Sequence, residues 1–413
     1  MMPNGIGGAS CPLPAPVDLA GLLEPFARRG VDLGLDRLQR ALESAGHPER
    51  RFLAAQVAGT NGKGSICAFL HAILRAAGVH CGTYSSPHLV SWRERIRLDD
   101  DWISAGALRA DLERWQAIGQ RHALTPFELL TAAAFDRFAR EQVEVAVLEV
   151  GLGGRLDATT VHPARPVVGF ATIGMDHREH LGDTLTAIAS EKAAVMGPGC
   201  QAFSGPQQEA AAAVLEAEAR RRGADLHWLA PLPPPTAGGL SLGLAGSFQR
   251  SNAAVAVAMA RALVRHGLAI DDTAIRRGLA AARWPGRLER RSWHGRPLLL
   301  DAAHNPPSAL ALRQEIGSAP GRRWLIGIQR QKEAPAMIRH LLGPADEALI
   351  VPPGGQAGWS TAELLERDPA LRGRIRPVAS PAEGLAWICG GGPLPVVCGS
   401  IHLLGAVLPL LDP

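Results

Sequence analysis

The chain has 413 residues, of which 46% are hydrophobic and 20% charged, and a formal net charge of +4. That length exceeds what one hydrophobic core usually serves, so two domains are expected in a globular protein. No apolar run is long enough to span a membrane, no Lys/Arg block marks a nucleic-acid binder, and six cysteines without a Cys-x-x-Cys pair argue against a zinc site or a disulfide framework. The cytoplasm is the expected compartment, and small anionic ligands are the expected partners.

The first seventeen residues, "MMPNGIGGASCPLPAPV", lack the basic start and apolar stretch of a signal peptide and read as a flexible lead-in. "FLAAQV" then has strand length and composition. It runs into "AGTNGKGS", and Ile66, Phe69, Leu70, Ile73, Leu74 and Ala77 follow at helical spacing until Gly78. A glycine-rich loop opening a helix points backbone N–H groups and the positive end of the helix dipole outward, and Lys63 adds a full charge there. The spacing departs from the commonest phosphate loop, because Gly64 separates Lys63 from Ser65 and position 57 is valine. Phosphate binding is expected, with a ligand-free turn as the alternative.

"VEVAVLEV" and "PVVGFATI" are continuous apolar runs, the pattern of strands covered on both faces in a parallel sheet. Ligand groups gather at the carboxyl ends of such strands. The first run ends in Glu149, and the second is read as ending in Asp176 and His177. A carboxylate and an imidazole beside a bound triphosphate would suit magnesium, which shares itself between oxygen ligands and phosphates. The alternatives are a helix-capping Glu149 and an ordinary surface His177.

In "GDTLTAIASEKAAVM", Asp183 reads as a helix cap, and Leu185, Ile188, Lys192 and Val195 fall on one face. A lysine on an apolar stripe must snorkel, pair or lose its charge, unless it is modified or faces the metal. Residues 229–247 are Pro- and Gly-rich and read as loop, and helices are expected over 252–267 and 272–282. The pattern breaks again at "RWPGRLERRSWHGRP". Boundaries follow: a lead-in over 1–17, a phosphate-loop domain over 18–286, and a smaller α/β domain over 287–413. Arg287, in the connection, could reach the phosphates of a ligand on the first domain, with one ordinary arginine among many as the alternative. Within the second domain, "LLLDAAHNPPSAL" puts Asp301 at a strand end and His304 and Asn305 before a Pro-started helix, which Asn305 or Ser308 would cap.

Together these stretches resemble the folylpolyglutamate synthase and dihydrofolate synthase family, amide-forming ligases related to the Mur ligases. The likeness runs through "VDLGLDRL", "VAGTNGKGS", "YSSPHL", "LTPFELL", "LEVGLGGRLDAT", "MDHREHLGDTLTAIASEKA", "WPGRLE", "LDAAHNP" and "VCGSIHLL". It implies an α/β protein, with an N-terminal phosphate-loop ATPase domain on a parallel sheet and a smaller Rossmann-like C-terminal domain. It also implies that Thr60, Asn61, Gly62, Lys63, Gly64, Ser65, Asn252, Arg287 and Asp301 bind ATP, and that Ser86, Glu149 and His177 hold magnesium. Lys192 would be carbamoylated (N6-carboxylated) and hold a second magnesium. Thr125, Pro126, Phe127, Glu128, Leu156, Asp157 and Ala158 would bind the pterin, and His304 would position the acyl phosphate or the incoming amine.

The implied reaction adds L-glutamate to dihydropteroate and to reduced folates through an acyl phosphate, in a monomer with no nucleic-acid or membrane partner. Folylpolyglutamate synthesis alone, or Mur-type peptide ligation, is the alternative. A regulatory GTPase would need an N/T-K-x-D motif, and the chain has none. Three departures stand out. "EKAAV" replaces the usual "EKAGI", "MDH" replaces "LDH", and "QRQKE" at residues 329–333 stands where an acidic "DKD" is usual.

Overall fold

The computed structural model describes residues 12–27 and 30–412. The lead-in over 1–11, Cys11 included, lies outside them. From Pro12 the chain is irregular but tied down: Ser91 Oγ donates to the Ala15 carbonyl at 2.9 Å, and Val17 packs on the core. Ordered contacts therefore begin earlier than residue 18.

Two compact units divide the described chain. The larger comprises Leu13–Gly243 and Phe248–Arg283; the smaller comprises Pro12, Leu244–Ser247 and residues 284–412. The change of unit falls between Arg283 and Trp284, and four residues of the Pro/Gly stretch group with the smaller unit.

The larger unit carries eight strands, β1 (Leu53–Ala58), β2 (Cys81–Tyr84), β3 (Ile96–Leu98), β4 (Asp101–Trp102), β5 (Val145–Glu149), β6 (Val167–Phe170), β7 (Gln201–Ser204) and β8 (Asp225–Trp228), in the order β4-β3-β2-β5-β1-β6-β7-β8. β2, β5, β1, β6, β7 and β8 are parallel, as the apolar runs require, while β3 and β4 are antiparallel. These two short strands alternate in polarity and lack the buried signature of a central strand. Glu149 ends β5 as expected. β6 stops at Phe170, and the chain then turns to an isolated bridge between Thr172 and Asn61, so Asp176 and His177 stand beyond the strand end.

The helices of this unit are α1 (Ala20–Ala27), α2 (Asp36–Ser44), α3 (Lys63–Ala76), α4 (Ala105–Arg121), α5 (Pro126–Arg140), α6 (Arg178–Leu181), α7 (Leu185–Ala193), α8 (Glu209–Arg222), α9 (Gln249–Leu263) and α10 (Asp272–Ala281). α3 packs between α9 and α10, and Gly278 lets α10 approach closely: a Cβ there would lie 2.4 Å from Ile73 Cα. On one flank Phe52 meets Phe135 and Phe138 edge-on, each at 5.9 Å, a geometry that adds about 0.5–1.5 kcal/mol to the area buried. A separate apolar cluster joins β6 and β7 to α7 and α8.

In the smaller unit, β9 (Glu289–Trp293), β10 (Arg296–Leu300), β11 (Arg323–Ile326), β12 (Glu347–Ile350), β13 (Ile375–Pro377) and β14 (Val396–Cys398) form a sheet in the order β13-β12-β11-β14-β10-β9. All neighbours are parallel except β9 with β10. β9 lies inside the stretch read as a break, because its "ERRSW" is too polar to announce a strand. The helices are α11 (Pro306–Ile316), α12 (Ala334–Leu341), α13 (Thr361–Arg367), α14 (Pro381–Ile388) and α15 (Ile401–Val407). The divergent residues 329–333 precede α12, where Gln329 bridges to Gly358 and the Lys332 carbonyl accepts from Trp359 Nε1.

Candidate active site

β1 leads into the glycine loop, whose shape comes from two glycines and one threonine. Gly59 and Gly62 have φ of +137° and +107°. Thr60 and Asn61 donate their amides to the Thr172 carbonyl, while Thr60 Oγ1 donates to the Gly174 carbonyl and accepts from the Gly174 amide. The loop is thus pinned to the segment after β6. Gly62 caps α3 without a side chain, so no side-chain oxygen fills the first amides of the helix, and Lys63 Nζ curls back to the Thr60 carbonyl at 3.3 Å. Those amides and that ammonium form a place for an anion.

Asn252 belongs here. A Cβ on Gly62 would lie 2.6 Å from Asn252 Oδ1. Gln249 ties the set together, donating to Ser65 Oγ at 3.1 Å while its Oε1 accepts from Asn252 Nδ2 at 2.9 Å. Sequence reading passed over Gln249. Its signal was a polar pair at i, i+3 in a helix otherwise rich in Ala and Val.

Glu149 is buried at the end of β5, and its Oε2 accepts from the Ser86 amide at 3.2 Å, so two expected metal-site residues meet. A cis bond joins Ser86 to Pro87. His177 has φ of +50°, and its Nδ1 lies 3.7 Å from Glu179 Oε1 at the surface, while Asp176 Oδ1 accepts from the His177 amide.

Lys192 does not snorkel. It is 5% exposed on α7, a helix capped by Thr184 Oγ1, not by Asp183. Burial lowers its pKa to about 7, the Lys63 charge pushes the same way, and Asp176, Asp157 and Glu191 oppose them. The loop after β5 presses on it: a Cβ on Gly154 would meet the Glu191 carbonyl at 2.6 Å and Lys192 Cα at 3.1 Å. Asp157 organises that loop, its Oδ2 accepting from the Gly151 and Leu152 amides and its Oδ1 from the Thr159 amide.

The other expected pterin positions sit nearby. Phe127 lies 5.9 Å from the ring of Tyr84, the chain's single tyrosine, and a Cβ on Gly151 would meet it at 2.7 Å. Thr125 and Glu128 form a capping box at the start of α5, with Pro126 in its first turn, and Glu128 also pairs with Arg37 at 3.3 Å. Their side chains are spent on local structure. Ala158 is buried and Leu156 half-buried.

In the smaller unit, Asp301 follows β10 directly. Its carboxylate accepts from the Leu288 and Ala303 amides; burial raises its pKa, and Arg287 opposes the rise. His304 Nδ1 donates to the Ala302 carbonyl at 2.9 Å, which assigns the proton to that nitrogen. Asn305 caps α11 through a box with Ser308, so for Asn305 the capping role expected as an alternative is the one found.

Among the described residues no three His, Cys, Asp or Glu side chains cluster as a metal cage. A hydroxyl and one buried carboxylate beside a phosphate-shaped loop instead suit magnesium that arrives with a nucleotide and keeps its phosphate ligands.

Residues 57–200 match the Mur ligase middle domain family. The chain is 33% identical over 410 residues to the dihydrofolate synthase/folylpolyglutamate synthase of Escherichia coli (strain K12), with 94% of each chain covered. The structure of E. coli FolC in complex with DHPP and ADP has a TM-score of 0.82 at 31% identity, covering 95% of this chain and 96% of that one. The Yersinia pestis bifunctional folylpolyglutamate synthase/dihydrofolate synthase complexed with AMPPNP and Mn ion also has a TM-score of 0.82, at 29% identity, covering 95% and 96%. An anion-ready helix start, a buried carboxylate beside it and relatives of full length agree: the chain belongs to the dihydrofolate synthase/folylpolyglutamate synthase family of ATP-dependent ligases.

Proposed function

We propose that this enzyme joins L-glutamate to dihydropteroate and to the glutamate tail of reduced folates, using ATP and a divalent metal, as a cytoplasmic monomer with a ligase domain over 18–286 and a Rossmann-like domain over 287–413. The observation that carries the reading is the uncapped start of α3 with Lys63 folded over it, beside Glu149 and Lys192. Relatives bound to ADP, or to AMPPNP and manganese, support it. Five buried free cysteines fit a reducing compartment.

A carboxylate resists attack by an amine because its oxygen leaves poorly. Transfer of the γ-phosphoryl of ATP to that oxygen gives an acyl phosphate, from which the α-amine of glutamate displaces phosphate. Thr60, Asn61, Gly62, Gly64 and Ser65 supply loop contacts to the nucleotide, completed by Asn252 and Asp301, and Lys63 and Arg287 stabilise the charge in transit. His304, oriented by the Ala302 carbonyl, positions the acyl phosphate or the amine. Magnesium, held by Ser86, Glu149 and His177 with a second ion on Lys192, would neutralise phosphate charge when bound. Thr125, Pro126, Phe127, Glu128, Leu156, Asp157 and Ala158 shape the pterin end, the capped residues by holding the loops.

Carbamoylation of Lys192 answers its electrostatics. An ammonium buried beside Lys63 is disfavoured, and a pKa near 7 leaves much of the amine neutral and able to add CO₂ at physiological pH. Extra density on Nζ in a crystal, and Lys192→Ala activity partly restored by short carboxylic acids, are the expected results. Full activity in the alanine variant overturns that assignment. The reaction itself is tested by ATP-dependent incorporation of labelled glutamate into dihydropteroate and into tetrahydrofolate. Incorporation into the folate alone leaves folylpolyglutamate synthesis, and incorporation into neither favours a Mur-type ligase.

A further inference from the structure

Arg95 stands just before β3 and is used by nothing described so far. Its position follows from register. β3 runs antiparallel to β2, pairing Ile96 with Tyr84, so the start of β3 lies at the edge where the parallel strands end. The Ser85 amide donates to the Arg95 carbonyl on one side of β2, and the Ser86 amide donates to Glu149 on the other. Arg95 is thus two strands from Glu149, about 10 Å at ordinary strand spacing, within reach of an extended arginine.

The guanidinium is held firmly. Nε donates to His88 Nδ1 at 3.0 Å, and Cζ sits 4.5 Å over the Trp92 ring, which His88 also contacts at 4.5 Å. The Tyr84 hydroxyl, whose ring packs against Phe127, also interacts with the guanidinium. Carboxylates that would neutralise the charge are engaged elsewhere: Glu94 accepts from the Leu89, Val90 and Ser91 amides, and Glu149 faces Ser86. Burial lowers the Arg95 pKa, with Tyr84, Glu94 and Glu149 only partly offsetting it. Arginine stays charged under these conditions, and a partly buried, preorganised fork with no carboxylate ion-paired to it among the described residues suits a planar anion.

We infer that Arg95 grips the carboxylate of the acceptor substrate that is to be phosphorylated, holding it between the aromatic end of the site at Phe127 and the phosphate end at Glu149. The inference rests on the proposed glutamate-ligase reading. Arg95 serves as a substrate-positioning residue: before transfer it pairs with the carboxylate, and afterwards it faces the acyl phosphate at the same atom. Both acceptors present that reacting carboxylate, so both depend on Arg95.

The test compares wild type with Arg95→Gln and Arg95→Lys, first by equilibrium binding without nucleotide. Dihydropteroate should bind Arg95→Gln at least ten-fold more weakly, whereas its carboxamide analogue should bind both proteins alike. Lysine should recover part of the loss. In turnover, KM for dihydropteroate and for tetrahydrofolate should both rise at least ten-fold in Arg95→Gln, with KM for ATP within two-fold of wild type. Equal weakening of acid and carboxamide, or a loss confined to the folate acceptor, overturns the assignment. If Arg95→Gln does not fold by circular dichroism, the lysine variant carries the same comparison. Absence of glutamate ligation in the wild type would sink the functional reading instead, leaving the binding comparison to judge Arg95.

Discussion

The turn from β1 into α3 and the turn from β10 into α11 occupy equivalent places, each following a parallel strand, yet the helices begin differently. α3 is capped by Gly62 in a left-handed conformation without a side-chain bond; α11 is capped by Asn305, whose Oδ1 accepts from the Ser308 amide at 3.0 Å. A side-chain cap contributes about 0.5–2 kcal/mol. The larger unit forgoes it, leaving amides and a lysine for an anion. The smaller unit keeps its helix closed and carries its polar chemistry on Asp301 and His304 before the cap. One turn offers its backbone to a ligand and the other presents side chains. Breaking each should have different consequences.

The largest effect is expected from Lys63→Ala, which removes the full charge at the open helix end. Loss of one such contact to a transferring group costs roughly a hundred-fold or more in kcat. Glutamate-dependent ADP release measures it, and near-normal turnover in a folded variant would remove the phosphate assignment.

Gly62→Ala should follow. An alanine at φ of +107° is strained, and its Cβ would lie 2.6 Å from Asn252 Oδ1. The expected cost is about 1–3 kcal/mol, with nucleotide affinity falling roughly ten-fold, since the amides proposed to meet the phosphate are displaced. Adding Asn252→Ala should raise Tm towards wild type by relieving the contact, while nucleotide affinity stays low. A Gly62→Ala protein that melts and binds like wild type would show that the loop is not held as described.

Much of this contrast was legible in the residues. Glycines flanking a lysine between an apolar strand and an amphipathic helix announce the open turn, and Asn before Pro-Pro-Ser announces the closed one. What local pattern could not supply was partnership across the chain. Gln249 joins Ser65 to Asn252 over 184 residues of separation, and Gly154 presses on Lys192 from another loop. β9 hid for a different reason: a polar edge strand on one partner carries little hydrophobic period. The cap of α7 is Thr184 and not the expected Asp183: both residue types suit the role, and the extended backbone at Thr184 puts its hydroxyl on the Ala187 amide.

The units should also differ in acid. His71, on the face of α3 turned into the larger unit, donates or accepts at Nδ1 with Thr83 Oγ1, and burial lowers its pKa to about 3; burial does the same to His162. The unfolded chain takes up these protons near pH 6.5 and the folded chain does not. Stability is therefore intact above 6.5 and falls as the pH drops from 6.5 towards 3. In the smaller unit, Asp301 has a raised pKa and favours the folded state when protonated, the opposite sign. His71→Gln should remove about 2 kcal/mol of the stability lost between pH 7 and pH 5, read from urea midpoints at the two pH values. An unchanged pH dependence would mean that His71 is protonated in the fold.

The smallest effect belongs to Asn305→Ala, which opens the closed turn. The cap bond to the Ser308 amide is lost, at a cost of about 1 kcal/mol. Two bonds remain, because Ser308 Oγ still accepts from the His304 and Asn305 amides and so keeps His304 near its place. Nucleotide affinity should stay within two-fold of wild type, kcat should fall only a few-fold, and Asn305→Asp, which restores an accepting oxygen, should recover the stability. Uncapping α11 creates free amides without a lysine or a glycine curve to aim them, so it should not make a second anion site. If Asn305→Ala instead weakened ATP binding as much as Gly62→Ala does, the two turns would share one role and the contrast between open and closed helix starts would fail.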